Sequence, residues 1–162
     1  VIVTHDPDEA LRIADRIALL DRGALVQIGT PEELYCKPRT LFAARFFSEL
    51  VELEGRVSNG VVVTALGTFA APQLREGAPA CVALRPHDLR LVTQGAPARV
   101  QQRTFLGCCE RLRLALDGMP RSLALQVFEQ CPARPGDMIH LQADPAAALV
   151  FPADSDSPRS EP

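Results

Sequence analysis

The residues best suited to chemistry lie at the start of the chain, where Thr4, His5 and Asp6 follow the apolar run Val1-Ile2-Val3. An unbroken β-branched run is typical of a strand buried on both faces of a parallel sheet, and ligands bind at the carboxyl ends of such strands. Asp6 can cap a helix that begins at Pro7. We therefore expect a strand, a polar turn and a helix, with His5 where a ligand would bind.

The stretch VIVTHDPDEALRIADRIALLDRG resembles the switch-histidine loop of ATP-binding cassette (ABC) ATPases, and the likeness extends through GALVQIGTPEELYCKP. The resemblance implies that His5 is a catalytic, cofactor-binding residue that contacts the γ-phosphate of ATP and orients the attacking water. Phosphoryl transfer depends mainly on such positioned groups. The alternative is that His5 only caps the next helix or satisfies a local hydrogen bond.

Local signals predict the elements that follow. A helix should run from about Pro7 to Ala14, and a hairpin should join residues 17–20 to 24–28 through three residues that end in Gly23. Thr30 and Glu33 form a capping box that starts a helix to about Cys36. Thr40 can cap one more helix, whose aromatic side chains are expected to pack in a core: Phe42, Phe46 and Phe47.

From about Glu52 the pattern changes to short strands separated by turn residues. In Arg111–Leu116 leucines and arginines alternate, so the leucines should face inward and the arginines outward. Many short strands indicate a small barrel or sandwich. The predicted strands are 52–57, 61–64, 81–85, 89–92, 99–106, 110–116, 122–127, 137–142 and 148–151.

This second part is similar to the transport-associated OB-type (TOBE) domain. The likeness rests on Arg85-Pro86-His87-Asp88-Leu89-Arg90-Leu91, Phe105-Leu106-Gly107, and Gly136-Asp137 through Val150-Phe151. The resemblance makes Arg85, His87 and Asp88 candidate regulatory residues, although His87 stands where the family usually has Glu. The alternative is that Arg85 and Asp88 form a structural pair that fixes a turn around Pro86.

The two resemblances predict the α/β edge of a P-loop-type ABC nucleotide-binding domain (residues 1–50), followed by an all-β OB-like TOBE domain (51–152) and a disordered tail (153–162). They imply the ATP-binding subunit of an ABC importer, which couples ATP hydrolysis to solute uptake with ATP and Mg²⁺. FFSELVELEGRV and GVVVTALGTFAAP look most like the iron(III)-importer branch, with polyamine, sulfate and sugar importers as the alternatives.

The same resemblances imply the partners and the location of the complete protein. The partners would be a second ATPase subunit in a homodimer, transmembrane permease subunits and, indirectly, a periplasmic or surface solute-binding protein. The protein would be peripheral, at the cytoplasmic face of the inner (plasma) membrane. No apolar run approaches the roughly 20 residues that a spanning helix needs.

The chain begins inside an apparent strand, and its sequence lacks the Gly-x-x-x-x-Gly-Lys-Ser/Thr phosphate loop, the Leu-Ser-Gly-Gly-Gln signature, and the strand carrying the Mg²⁺-binding Asp and catalytic Glu. We therefore expect a fragment that is inactive and needs no cofactor by itself. A stand-alone OB-like regulatory or dimerisation module, binding a small ligand or a protein, is the alternative.

Composition bears on two other kinds of site. A net charge of −3 and a pI near 5.6 argue against nucleic-acid binding, as does the scarcity of aromatic residues for an OB-fold that stacks bases. The five cysteines are odd in number and lack C-x-x-C spacing. We expect no metal site and predict that the cysteines are mostly small buried hydrophobic residues.

Overall fold

The computed structural model describes residues 1–119, 121–128 and 131–153. Two units make up the chain: one includes Val1–Leu50 and the other is Val51–Pro152. The predicted disordered tail, apart from Ala153, lies outside the described residues. Each unit is described by itself.

The first unit contains three short helices and one β-hairpin. In chain order they are α1 (Pro7–Ile13), β1 (Ile17–Asp21), β2 (Ala24–Gly29), α2 (Pro31–Cys36) and α3 (Leu41–Phe47). The capping box of α2 is present: Glu33 N–H donates to the Thr30 hydroxyl at 3.2 Å, and Thr30 N–H donates to the Glu33 carboxylate at 2.9 Å. The Thr40 hydroxyl accepts from Ala43 N–H at 3.1 Å and caps α3. These caps confirm the predicted starts of α2 and α3.

The predicted strand at Val1–Val3 is wrong. The three residues have no regular secondary structure and their side chains are exposed. A strand forms only where its N–H and C=O groups have a neighbouring strand to pair with, and no strand among the described residues pairs with this segment. His5 therefore does not follow a buried strand in this structure.

The hairpin of β1 and β2 forms as predicted, but its connection is shorter. Asp21 pairs with Ala24, which leaves the two residues Arg22 and Gly23 in the turn. Both have positive φ, 48° and 84°, as in the tight turns that match strand twist. The turn is one residue shorter than expected because Asp21 belongs to β1, and a separate register shift between Leu19 and Leu20 leaves Val26 of β2 without a partner.

A small core holds the first unit together. Leu19, Leu34, Ala43 and Phe47 are buried, and Phe42 and Phe46 pack against them. The rings of Phe46 and Phe47 meet edge to face with centroids 5.0 Å apart, a favourable aromatic geometry. The prediction that the aromatic residues of α3 are core residues is confirmed.

The second unit is built from two five-stranded antiparallel sheets. One has the strand order β10-β9-β8-β11-β7 and the other β12-β6-β3-β4-β5. The strands are β3 (Val51–Ser58), β4 (Val61–Thr64), β5 (Gly67–Ala70), β6 (Pro79–Leu84), β7 (Leu89–Val92), β8 (Ala96–Phe105), β9 (Glu110–Leu116), β10 (Leu123–Val127), β11 (Met138–Ala143) and β12 (Leu149–Pro152).

Alternation along the strands builds one core shared by both sheets. On β9, Leu112, Leu114 and Leu116 are buried while Arg111 and Arg113 are exposed, so the predicted facing is confirmed. The same core contains Val82 of β6, from the other sheet. These all-antiparallel sheets fit an OB-like β domain.

One strand, β5, was not predicted. Its hairpin with β4 has Ala65 and Leu66 in the turn, and neither residue is a usual turn former. The turn is held instead by the Thr64 hydroxyl, which donates to Gly67 O at 3.1 Å and accepts from Leu66 N–H at 3.2 Å. The side-chain hydrogen bonds of Thr64 thus stabilise this turn, whereas most short turns are stabilised by Gly or Asn.

Candidate functional sites

His5 lies in an exposed turn immediately before α1, and neighbouring residues make the hydrogen bonds that organise this turn. The Asp6 carboxylate accepts from Asp8 N–H at 2.9 Å and from Glu9 N–H at 3.2 Å. The Thr4 hydroxyl accepts from Asp6 N–H at 3.1 Å. Asp6 is therefore the helix cap, and the interpretation of His5 as a cap is wrong.

The imidazole of His5 is exposed and makes no hydrogen bond or ion pair within the part of the chain that the structure describes. Such a side chain fits a contact to a phosphate oxygen, because both ring nitrogens remain available. The sequence itself contains no Gly-x-x-x-x-Gly-Lys-Ser/Thr phosphate loop. No group of three or more His, Cys, Asp or Glu residues that could hold a metal ion occurs in the described ranges.

Arg85 and Asp88 bracket a short 3₁₀ turn, Pro86–Asp88, between β6 and β7. The Asp88 carboxylate accepts from the backbone N–H of Arg85 at 2.9 Å, and Asp88 N–H donates to Arg85 O at 3.0 Å. His87 Nε2 is 3.6 Å from Asp88 Oδ1. The His87 side chain is 65% exposed and that of Asp88 only 12%. Asp88 thus fixes this turn, and His87 is the candidate that a ligand could reach.

Replacing Asp88 with alanine should lower the free energy of unfolding by about 1 kcal/mol, because the Arg85 N–H loses its acceptor. Urea denaturation of the whole chain measures this. His87→Ala is the matched control, since an exposed ion pair contributes well under about 1 kcal/mol. Equal losses in the two variants would show that the bond from Arg85 N–H is not what stabilises the turn.

An ion pair between an exposed arginine and a buried glutamate, which the sequence reasoning missed, lies where β8 ends and β9 begins. Arg103 Nη2 donates to Glu110 Oε1, and the Glu110 side chain is 8% exposed. The hydrogen bond from Arg103 holds the pKa of Glu110 below its ordinary value of 4.5, although burial acts in the opposite direction. The sequence did contain a signal for the burial of Glu110. Residues two and four positions apart in a strand point to the same face, so Glu110 lies on the face of the buried Leu112 and Leu114.

This ion pair predicts a pH dependence. A carboxyl group whose pKa is lowered by folding stabilises the folded state above its unfolded pKa, and that contribution disappears as the pH falls through the folded pKa. The stability difference between the wild type and Glu110→Gln should thus be constant at neutral pH and shrink below about pH 4.5. Urea midpoints between pH 7 and pH 3 measure it, with exposed Glu54→Gln as the control. A difference that does not change with pH would contradict the prediction.

The cysteines are divided between core and surface. Cys81, Cys109 and Cys131 are buried, whereas Cys36 and Cys108 are exposed, and all five are free thiols. The prediction of mostly buried cysteines is confirmed for three of the five. The two adjacent cysteines lie at a turn between strands rather than within one strand.

Comparison with known proteins gives a consistent result. Residues 82–151 match the family model of the TOBE domain. The chain is 37% identical over 167 residues to the sulfate/thiosulfate import ATP-binding protein CysA 1 of Chromobacterium violaceum. This alignment covers 95% of this chain and 45% of that protein. It is 33% identical to the spermidine/putrescine import ATP-binding protein PotA of Methylococcus capsulatus, over 97% of this chain and 46% of that protein.

A third relative is the Fe(3+) ions import ATP-binding protein FbpC 3 of Rhodococcus jostii, which is 33% identical over 88% of this chain and 43% of its own length. The chain thus spans a little under half the length of these curated relatives. Within the described residues, no helix is long and apolar enough to cross a membrane. The matches cover both units, and the chain belongs to the family of ABC import ATP-binding subunits that carry a TOBE domain.

Proposed function

We propose that this chain is the C-terminal part of the ATP-binding subunit of an ABC importer, and that the complete protein couples ATP hydrolysis to solute uptake. The observation that carries the proposal is the exposed His5, whose neighbours Thr4 and Asp6 take every capping bond of the turn. The imidazole is left available to a ligand. Similarity to import ATP-binding proteins over nearly the whole chain supports this assignment.

In this proposal residues 1–50 are the edge of a P-loop-type α/β nucleotide-binding domain, and residues 51–152 are a separate TOBE domain. Apolar side chains left exposed on the first unit support the assignment, because such surface needs a packing partner. They are Val1, Ile2, Val3, Ile13, Leu20, Leu25 and Ile28. The rest of the nucleotide-binding domain would cover them.

ATP and Mg²⁺ are the cofactors that the proposal assigns to the complete protein. ATP supplies the γ-phosphoryl group, and His5 is the residue of this chain that would lie against it. The phosphate loop and the Mg²⁺-binding residues would come from another part of the protein, since this sequence contains no such loop. ATP hydrolysis by the full-length protein, and its loss in His5→Ala, tests the assignment.

The proposal extends to partners and location. We assign a second copy of the ATP-binding subunit, two permease subunits and, indirectly, a solute-binding protein, with the subunit at the cytoplasmic face of the inner membrane. Iron(III) is the proposed solute, on the likeness of the stretch around β3 to β5. The relatives named above import sulfate, polyamines or iron by their names. Loss of sulfate or polyamine uptake, with iron uptake intact, after deletion of the gene would contradict the iron assignment.

A regulatory role of the TOBE domain is a further part of the proposal. Of Arg85, His87 and Asp88, the exposed His87 is the residue that could contact a regulator directly. Asp88 would act by holding the turn that presents His87. Arg85 is buried, so any regulatory role of this residue would be indirect and would depend on the core residues around it.

A further inference from the structure

The sheet β10-β9-β8-β11-β7 has an outer face that carries basic side chains and no carboxylate. Its inner face belongs to the core, because burial alternates along the strands. The five strands contain a single acidic residue, Glu110, and that residue is buried on the inner side. The basic residues of the outer face are Arg90, Arg99, Arg111, Arg113 and His140. Positive charge is therefore concentrated here, in a chain whose net charge is −3.

Strand pairing arranges these basic side chains in one diagonal row, which begins on β9. Arg111 and Arg113 are two residues apart on that strand. Arg99 comes next, because it lies on β8 opposite Ala115, two residues beyond Arg113. Residues i and i+2 of a strand are about 7 Å apart and adjacent strands about 4.8 Å apart. Each step along the row is therefore about 7–8 Å.

The row continues across the last two strands. His140 lies on β11 opposite Pro97, which is two residues from Arg99 on β8. Arg90 lies on β7 opposite Gln142, which is two residues beyond His140. The steps are again about 7–8 Å. The five residues thus form a continuous row from β9 to β7, which we call the arginine row.

The arginine row has no acidic partner within the described part of the chain. None of its members forms an ion pair there. Every residue paired with one of them is uncharged, as Thr104 and Gln126 are on the two sides of Arg111. Arg99 donates one hydrogen bond to Gly136 O at 3.0 Å and keeps its other donors. All four arginines are exposed, so their guanidinium groups are available to carboxylates, which they bind with two parallel hydrogen bonds.

We propose that the arginine row binds an extended acidic segment of a partner protein, with a carboxylate at every second residue. Alternate side chains of an extended chain share one face and lie about 7 Å apart. This spacing matches the steps of the row, so a segment of about nine residues would meet all five basic side chains. Charge complementarity and spacing together define the partner.

The other residues of this face favour a protein over a nucleic acid. Proteins bind single-stranded nucleic acids by stacking the bases on aromatic side chains. The five strands contain one Phe, Tyr or Trp, which is Phe105. Phe105 pairs with Glu110 and therefore belongs to the opposite face. The arginine row thus has no stacking platform beside it.

Fluorescence anisotropy with the whole chain tests the proposal, and the probe is a labelled ten-residue peptide of alternating Glu and Ser. We expect a dissociation constant below about 100 μM in about 50 mM salt. Binding should weaken several-fold in about 0.3 M salt, because salt screens exposed charges. A peptide of the same composition with its five glutamates in one block should bind at least about three-fold more weakly, since adjacent side chains of an extended chain point to opposite faces.

Variants locate the binding surface. Arg111→Glu/Arg113→Glu should weaken binding of the alternating peptide at least about ten-fold, because two attractive contacts become repulsive. Arg111→Gln/Arg113→Gln, which only removes the charges, takes its place if the charge-reversed protein folds poorly. Arg16→Glu/Arg75→Glu is the matched control, since it changes the net charge equally at exposed positions outside these strands. It should change the affinity less than about two-fold.

Three results would overturn the proposal. Equal weakening by the two charge-reversed proteins would show that net charge attracts the peptide and not the arginine row. Tighter binding of a ten-nucleotide oligodeoxythymidine than of the alternating peptide would assign the face to nucleic acid. Failure of the alternating peptide to bind at low salt would show that the row does not hold an acidic segment.

Discussion

Replacing His5 with alanine in the full-length protein should lower kcat for ATP hydrolysis by roughly 10²–10⁴-fold, the range for one positioned transition-state or proton-handling group. ATP affinity should change far less, because the backbone amides and lysine of a phosphate loop supply most phosphate binding. The helix should stay intact, since Asp6 makes its capping bonds. Steady-state phosphate release and equilibrium nucleotide binding measure the two quantities.

Two controls separate catalysis from folding. Asp6→Ala removes the cap of α1 and should cost about 1 kcal/mol of stability, while the folded fraction keeps most of its turnover. His87→Ala changes an exposed histidine in the other unit and should leave kcat unaltered. If His5→Ala instead lost stability while its folded molecules hydrolysed ATP normally, the γ-phosphate role would be wrong.

A polypeptide that starts near Glu52 and ends at Pro152 should fold and melt cooperatively, whereas one that ends near Ser48 should aggregate or stay unfolded. The second unit has a large core of its own, with side chains such as Phe69, Leu112 and Leu141 almost fully buried. The first unit buries only a few apolar residues and leaves Val1–Val3 exposed and unpaired. A domain this small has little buried surface to offset chain entropy.

Limited proteolysis of the whole chain, followed by thermal melts of the recovered pieces, measures this difference. Cleavage should concentrate before Glu52 and leave the β unit intact. Recovery of a stable core that lies before Ser48 would contradict the proposed domain boundary. A single inseparable unfolding transition for both parts would contradict it as well.

The features predicted correctly from the sequence are those with local causes. A capping box needs only Thr30 and Glu33 at the right spacing, and inward leucines on β9 need only alternation along one strand. Each signal is complete within a few residues. The hairpin of β1 and β2 followed in the same way from Gly23, although its turn is one residue shorter because Asp21 pairs with Ala24.

The failures are features that depend on distant residues. The Val1–Val3 run has the composition of a buried strand, but a strand exists only with a partner, and the described residues offer none. The β5 strand was missed because a threonine hydroxyl, not a turn residue, holds its hairpin. The contact of Arg103 with Glu110 depends on how β8 pairs with β9, and the sequence carries no direct signal of that register.

The candidate sites show the same difference between features with local causes and features that depend on distant residues. The role of Asp88 as the acceptor that fixes the turn around Pro86 is local, and the structural alternative anticipated a turn at this position. The γ-phosphate role of His5 rests on family resemblance, because every other group of that site would come from residues outside this sequence. The structure adds one observation: Asp6 accepts the capping hydrogen bonds of α1, so the imidazole of His5 is available to contact a ligand.

Phosphate release from ATP by this chain alone, measured beside the full-length protein, is the most direct test of the claim that the chain is one part of an ATP-binding subunit. We predict no turnover above background and weak or undetectable ATP binding by the chain, because its sequence has no phosphate loop. The full-length protein should turn over and lose that activity in His5→Ala. Turnover by the isolated chain that His5→Ala abolishes would contradict the account.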